Sequence, residues 1–297
     1  MGSYLENIKN KIISNYGIRF FPKQKKKFRE FIMNELNSLD LECEEINGNM
    51  VAGNVEEAEY IITAHYDTPG IMPHWMNYII KYFGHTRQLS FSILIVIMFF
   101  LLHYFRLYII NNILFLWILF IFIPNKNNYN DNTSGVLTLL NIAHQISMSS
   151  EKEYLKGKIA LVFFNNEEWG LLGSAAMKKY WLKNKISLEG KKIINVDCVG
   201  VGDMIMLTHG EKSNLVEILQ NTLKDSSKGK EIVKYKYKVI PLSDEYNFKE
   251  HNITGIIFCN KTKVPGGYYI PYVHSSKDKI VELENINWLT REIIKLI

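Results

Sequence analysis

Apolar runs that stop abruptly at an acidic residue or a histidine constrain this chain more than any other feature. Tyr60 to Ala64 ends at His65, Ile159 to Phe164 leads through Asn165-Asn166 to Glu167-Glu168, and Ile193 to Val196 ends at Asp197. Short runs that are apolar throughout predict strands buried in the middle of a sheet. In open α/β sheets ligands bind just beyond the strands' carboxyl ends, where these polar residues fall. Asp131-Asn132 and His274 complete a set of five such segments spread over almost the whole chain.

Between these strands the spacing turns helical. Phe28, Phe31, Ile32, Leu36 and Leu39 predict an amphipathic helix, and Val136 to Ile146, Leu171 to Trp181, Leu215 to Leu223 and Ile286 to Ile297 read as further helices. Leu41 to Ile46 and Met50 to Ala52 flank Asn47-Gly48, a two-residue hairpin signal, and Ile256 to Cys259 predicts another strand. Strands alternating with helices indicate an α/β domain around a largely parallel sheet. No composition shift marks a linker, so residues 1–297 are expected to form one domain, with 71–127 as an insertion.

Charge and cysteines exclude several classes. A net charge of +5 over 297 residues is small and partly concentrated in Lys23-Gln24-Lys25-Lys26-Lys27, which reads as a solvated helix face, so no nucleic-acid partner is expected. Cys43, Cys198 and Cys259 lack CxxC spacing and predict reduced, buried thiols rather than a disulfide framework or thiolate zinc site. Met1 to Tyr16 lacks the apolar core and cleavage site of a secretory signal, so export is not expected.

Leu89 to Ile123 is almost continuously apolar, interrupted mainly by His103, Arg106, Asn111 and Asn112. One crossing needs roughly 20 residues, so this run suffices for one generous or two minimal spans. His65 and Asp131 flank it and must meet on one side of a membrane, which excludes an odd number of full crossings. The expectation is therefore a hairpin of Leu89 to about Phe105 and Tyr108 to Ile123, spanning, re-entrant or lying in the interface. Its partner would be membrane lipid or a membrane protein; a helical pair buried in a soluble core is the alternative. Lys81, Arg87 and Lys126 outnumber Arg106 at the tip, which by the positive-inside tendency predicts a cell-membrane protein with a cytoplasmic catalytic domain.

Histidine nitrogens and carboxylate oxygens are zinc ligands, and two-metal sites hold their ions about 3.5–4 Å apart. His65, Asp131, Glu168, Asp197 and His274 could supply such a site, with Glu167 free to act as general base. Taken singly each segment is commonplace: Asp131-Asn132 before Ser134-Gly135 would pass for a helix-capping turn, and Glu167-Glu168 for a solvated pair. His74, His85 and His103 belong to the insert, and His144, His209 and His251 have no carboxylate partner in a recognisable frame.

The order and context resemble the M28 family of zinc metallopeptidases. The resemblance rests on Thr63-Ala64-His65-Tyr66-Asp67-Thr68, Asn130-Asp131-Asn132-Thr133-Ser134-Gly135, Phe164-Asn165-Asn166-Glu167-Glu168-Trp169-Gly170-Leu171-Leu172-Gly173-Ser174, Asn195-Val196-Asp197 and His274-Ser275-Ser276-Lys277-Asp278, with Ser243-Asp244 and Phe248 as a further segment. It implies a three-layer α/β/α fold with a mostly parallel mixed sheet and two zinc ions. His65 and Asp197 would bind one ion, Glu168 and His274 the other, and Asp131 both. Asp67 would accept a hydrogen bond from His65, and Glu167 would take a proton from the bridging water. The implied activity is an aminopeptidase acting on peptides, with Tyr268, Tyr269 or Tyr272 available to the reaction intermediate. The alternatives are a related glutaminyl-cyclase-like acyltransferase and a non-catalytic, membrane-anchored binding relative.

Overall fold

A computed structural model describes residues 3–84, 88–110, 112, 119–224, 226–227, 229–236 and 243–297. The polypeptide opens with two helices, α1 (Tyr4–Tyr16) and α2 (Pro22–Ser38). Strands β1 (Cys43–Ile46), β2 (Asn49–Ala52) and β3 (Tyr60–His65) follow. Helices α3 (His74–Phe83) and α4 (Gln88–Tyr104) belong to the insert, and α5 (Ser134–Ser147) and α6 (Lys152–Lys158) come after it. The remainder alternates as β4 (Ile159–Phe164), α7 (Leu172–Lys183), β5 (Lys192–Asp197), β6 (Met204–His209), α8 (Leu215–Lys224), β7 (Glu231–Lys236), β8 (Ile253–Lys261), β9 (Tyr268–Tyr269) and α9 (Leu283–Ile294).

The sheet runs β1-β2-β4-β3-β5-β8-β6-β7, with β9 paired to β8. Its centre, β4-β3-β5-β8, is parallel, while β1, β2 and the β6–β8 pairing are antiparallel. The expected mixed, mostly parallel α/β sheet is what forms. The apolar runs are explained by burial on both faces: Ile62, Ala64, Leu161, Phe163, Ile194 and Val196 join a core under α1, α2, α5 and α9, whereas Ile61, Val162, Phe164 and Ile193 join one with Met177 and Trp181 of α7. Asn47 and Gly48 both take positive φ, 53° and 82°, as a type I′ hairpin requires.

Register places the site. His65 pairs with Phe164, and Thr63 pairs with Asn195. His65 and Asp197, each two residues beyond that pair, therefore finish adjacent strands side by side, while Glu167-Glu168 leave β4 next to them.

The insert leaves through a narrow neck. Gly70 bridges Pro124, the Ile71 N–H donates to the Ile123 carbonyl (2.8 Å) and the Asn125 N–H to the Pro69 carbonyl (2.9 Å). Helix α4 matches the first expected apolar arm, and Phe100 at 67% exposure and Ile97 at 50% overturn a core-buried pair for it. The second arm, Tyr108 to Ile123, lies partly outside the described residues; Leu119–Phe122 form a 3₁₀ turn. No helix among the described residues is long and apolar enough to cross a membrane.

Helix α7 packs its first turn directly on the catalytic-side loop, where Gly173 makes room. A Cβ there would lie 1.7 Å from the Asn165 carbonyl oxygen. Gly173→Ala is expected to lower stability by ~1–3 kcal/mol, as overpacking does, and to displace the segment leading to Glu167. Urea denaturation of the variant against the parent chain measures it.

Candidate metal and catalytic site

Each candidate side chain is held by its own backbone contacts. His65 is the last residue of β3, with a side chain 1% exposed. The Asp67 carboxylate reaches the catalytic-side loop rather than the histidine: Oδ1 accepts the Glu167 N–H (3.0 Å) and Oδ2 the Glu168 N–H (3.3 Å). His65 Nδ1 stands 3.6 Å from Asp67 Oδ1, too far for the expected hydrogen bond. Two backbone amides of the next loop outcompete the ring for that carboxylate.

Asp131 sits in the turn Tyr129–Thr133, whose Asp131–Asn132 peptide is cis. Asp278 accepts the Asn130 N–H (2.8 Å) and the Asp131 N–H (3.0 Å). Asn132 Oδ1 accepts the Gly135 N–H (2.9 Å) and the Cys198 N–H (3.1 Å), and its amide donates to the Val196 carbonyl (3.1 Å). Capping of α5 thus falls to Asn132, leaving the Asp131 carboxylate free. The Asn130 Oδ1 accepts the Gly200 N–H (2.8 Å), so this turn is stitched to the loop after β5.

These loops converge. Asp131 Oδ1 lies 3.4 Å from His65 Nε2, and its Oδ2 lies 3.1 Å from His274 Nε2. Asp197 Oδ1 is 3.6 Å from His65 Nε2, Glu168 Oε2 is 3.1 Å from His274 Nε2, and Glu167 Oε2 is 4.0 Å from His65 Nε2. All seven sequence-derived residues are therefore gathered in one place. The His274 side chain is 41% exposed, which marks the open side of the site.

The donor set fits metal. Both His65 ring nitrogens, Asp131 Oδ2, Glu168 Oε1 and Asp197 Oδ1 are buried without a hydrogen-bond partner, a costly arrangement unless a cation completes it. Ligand atoms of His65, Asp131 and Glu168, and of His65, Glu167 and Asp197, lie within 4.8 Å of one another. Cys198 joins Asp131 and Asp197 at the same separation, but burial pushes its thiol well above the ordinary range and keeps it protonated.

Electrostatics follow from crowding. Burial pushes Glu168 up to about 7 and raises Glu167 well above the carboxylate range, where neighbouring Glu168, Asp244 and Asp197 also oppose its charge. Burial would raise Asp131 too, yet contacts with His274 and His65 hold it below the usual range. Asp244, linked to Ser174 Oγ, is pushed up to about 8 by burial.

Two cations went unread in the sequence. Lys25, part of the run expected to be solvated, is instead 4% exposed, with Nζ 2.5 Å from Asn166 Oδ1 and 3.7 Å from Asp67 Oδ2. Only Lys23, Lys26 and Lys27 of that run face solvent, because Lys25 falls on the inward side of α2. Arg19, wholly buried, donates to the Tyr66 carbonyl and to Thr133 Oγ1 (3.0 Å), joining the segments after His65 and Asp131. Neither has a spacing that would single it out. Cys198 and Cys259 are buried as expected, while Cys43 is partly accessible.

Strand-end histidines and carboxylates around a preformed cation-binding space define a metallohydrolase-type α/β protein. Residues 120–295 match the model of peptidase family M28, more than half of the chain, and the chain belongs to that family. Asp131, Glu167, Glu168, Asp197 and His274 lie in the matched stretch, and His65 and Asp67 upstream of it.

A vacuolar membrane protease of Candida glabrata is 24% identical over 161 residues, 53% of this chain and 16% of that protein. One of the same name from Vanderwaltozyma polyspora is 25% identical over 134 residues, 45% and 13% of the two chains. The chain thus matches under a fifth of the length of these relatives. Among solved structures, LapB of Legionella pneumophila superposes with a TM-score of 0.65 at 16% identity, covering 98% of this chain and 69% of that one. A Zn-dependent exopeptidase of Parabacteroides distasonis gives 0.62 at 16% identity over 99% and 94%. A glutaminyl cyclase of Tannerella forsythia gives 0.65 at 18% over 99% and 96%. At these identities the likeness establishes the fold.

Glu245, fully buried, accepts from Thr208 Oγ1 (2.6 Å) and Asn195 Nδ2 (2.7 Å), and burial pushes it from 4.5 up to about 7. A folded-state value above the unfolded one favours folding fully below pH 4.5, and that contribution is lost as pH rises through about 7. Metal-free Glu245→Gln is therefore expected to lose roughly 1–3 kcal/mol less stability than the parent between pH 4.5 and 8. Urea midpoints across that range test it.

Proposed function

We propose that the chain is a zinc-dependent aminopeptidase, removing N-terminal residues from peptides. The observation that carries this reading is the Asp131 carboxylate, whose two oxygens address two different histidines, 3.4 and 3.1 Å away. In it, His65 and Asp197 would hold one zinc ion, Glu168 and His274 a second, and Asp131 would serve both. Bound zinc would polarise the substrate carbonyl and lower the pKa of water from 15.7 toward about 7.

The chain's own residues do the proton work. Glu167, with Oε2 4.0 Å from His65 Nε2, takes a proton from water at Oε2 and returns it to the leaving amine. Asp67 keeps Glu167 and Glu168 in place through their backbone amides. Peptide approaches from the exposed side of His274, beside Tyr269 and Tyr272.

The reading extends to one domain over residues 1–297 carrying a membrane-associated insertion at 71–127. The exposed apolar side chains of α4 and the likeness to two vacuolar membrane proteases support membrane association. The excess of Lys81, Arg87 and Lys126 over Arg106 supports a cytoplasmic catalytic side.

Mass spectrometry of a mixed peptide pool, half with acetylated N-termini, tests the activity. Zinc-loaded chain is expected to remove single residues from free N-termini only. Glu167→Gln should lower the rate ~10²–10⁴-fold with its zinc content unchanged. Ammonia loss confined to N-terminal Gln peptides would replace this reading by the cyclase one, and an unaltered pool would leave a binding role.

A further inference from the structure

Beside the metal site, and unused by it, lies a cavity of about 690 Å³ lined by Lys27, Lys126 and Lys279 together with Gln24, Asn127 and Tyr129. The three lysines come from α2, from the exit of the insert and from the loop after His274. All are exposed, no ammonium group among them has an ion pair or hydrogen bond with a described residue, and no carboxylate lines the cavity. Three unneutralised ammonium groups around one space is a phosphate-binding arrangement.

A second cavity, about 660 Å³, is lined in part by other residues of α2, Lys25 and Arg29, and by Phe122 at the exit of the insert. It is walled by Phe20, Phe21, Phe122, Trp169 and Leu172, with Phe20 and Trp169 rings 5.4 Å apart and Phe122 and Trp169 rings 6.1 Å apart. Phe21, Phe122, Trp169 and Leu172 are each 44–54% exposed. Aromatic rings flanked by basic residues are the composition of a membrane–water interface. Phe122 and Lys126 place both cavities at the foot of the apolar insert.

We propose that this face of the catalytic domain docks on an anionic lipid bilayer, with Lys27, Lys126 and Lys279 taking the headgroup phosphates and the aromatic rim entering the interface. The surface is continuous with the insert and rests on the membrane part of the reading above. It adds the lipid charge and the orientation: Trp169, next to Glu168, comes to lie at the bilayer surface, so the metal site opens close to it.

The test is flotation of the full chain, synthesised in the presence of vesicles of phosphatidylcholine alone or mixed with phosphatidylglycerol. Binding is expected to rise with phosphatidylglycerol. In the triple variant Lys27→Gln, Lys126→Gln, Lys279→Gln the phosphatidylglycerol-dependent part should weaken on the order of a hundredfold, at about fivefold per lysine. The same change at Lys183, Lys185 and Lys224, outside the cavity, should have little effect, and cleavage of short soluble peptides should be unaltered by either triple. Brominated lipid should quench a fluorescence component absent from Trp169→Phe.

Indifference of the parent to phosphatidylglycerol, equal losses in the two triples, or unquenched Trp169 would overturn the proposal. Binding to phosphatidylcholine alone would then leave the insert as a membrane element by itself. Peptide cleavage is read separately and reports on the peptidase reading independently.

Discussion

Like charge held out of water is the constraint on which the rest of this structure depends. Asp67, Asp131, Glu167, Glu168, Asp197 and Asp244 crowd the carboxyl ends of β3, β4 and β5, where burial alone would protonate several of them. An ionised carboxylate in such a place persists only against a counter-charge. Arg19 and Lys25 supply part of that charge from one side, while His65 and His274 must be neutral to bind metal. The unpaired atoms of His65, Asp131, Glu168 and Asp197 mark the charge still missing, and two divalent cations would match it. Burial, and after it the neighbouring Glu168, Asp244 and Asp197, holds Glu167 well above the carboxylate range.

The N-terminal segment gains its meaning from this balance. Arg19 touches the residues after both His65 and Asp131, and Lys25 touches Asp67 and the Asn166 that precedes the two glutamates. Burial lowers the proton affinity of both, Arg19 to about 10, and the neighbouring aspartates oppose that loss. The N-terminal segment therefore does more than cover the sheet, because the connection between α1 and α2 carries Arg19 and α2 carries Lys25, the cations that let three loops of acids approach one another.

What the sequence made legible follows from the range of the interactions involved. Strands buried on both faces print themselves as apolar runs, so β3, β4, β5 and the interior of β8 could be read directly, with the ligands at their ends. Asn47-Gly48 was equally readable because φ > 0 at both positions leaves few residues to choose from. α1 was missed: Leu5, Ile8 and Ile12 are its buried stripe, but three apolar residues among Lys, Glu and Asn look isolated until the partner surface is known. β7, an outer strand in which only Ile232, Val233 and Tyr235 are partly covered, carries too weak a pattern. Lys25 was misread because periodicity fixes which helical face a residue shares, while only the tertiary structure shows that a buried carboxylate waits opposite one lysine of the run.

The insert, finally, is joined to the site and not merely appended to the domain. The Met72 N–H, at its first residues, donates to the His274 carbonyl (2.8 Å), and α3 lies against β9, which leads into His274. His274 itself takes φ of 55°, in the left-handed region that a non-glycine residue adopts when its surroundings dictate it. Its side chain is the exposed one of the two histidines, so the position of the loop sets the width of the opening beside Asp131 and Glu168. The base of the insert is thus hydrogen-bonded to the backbone of the loop that carries His274.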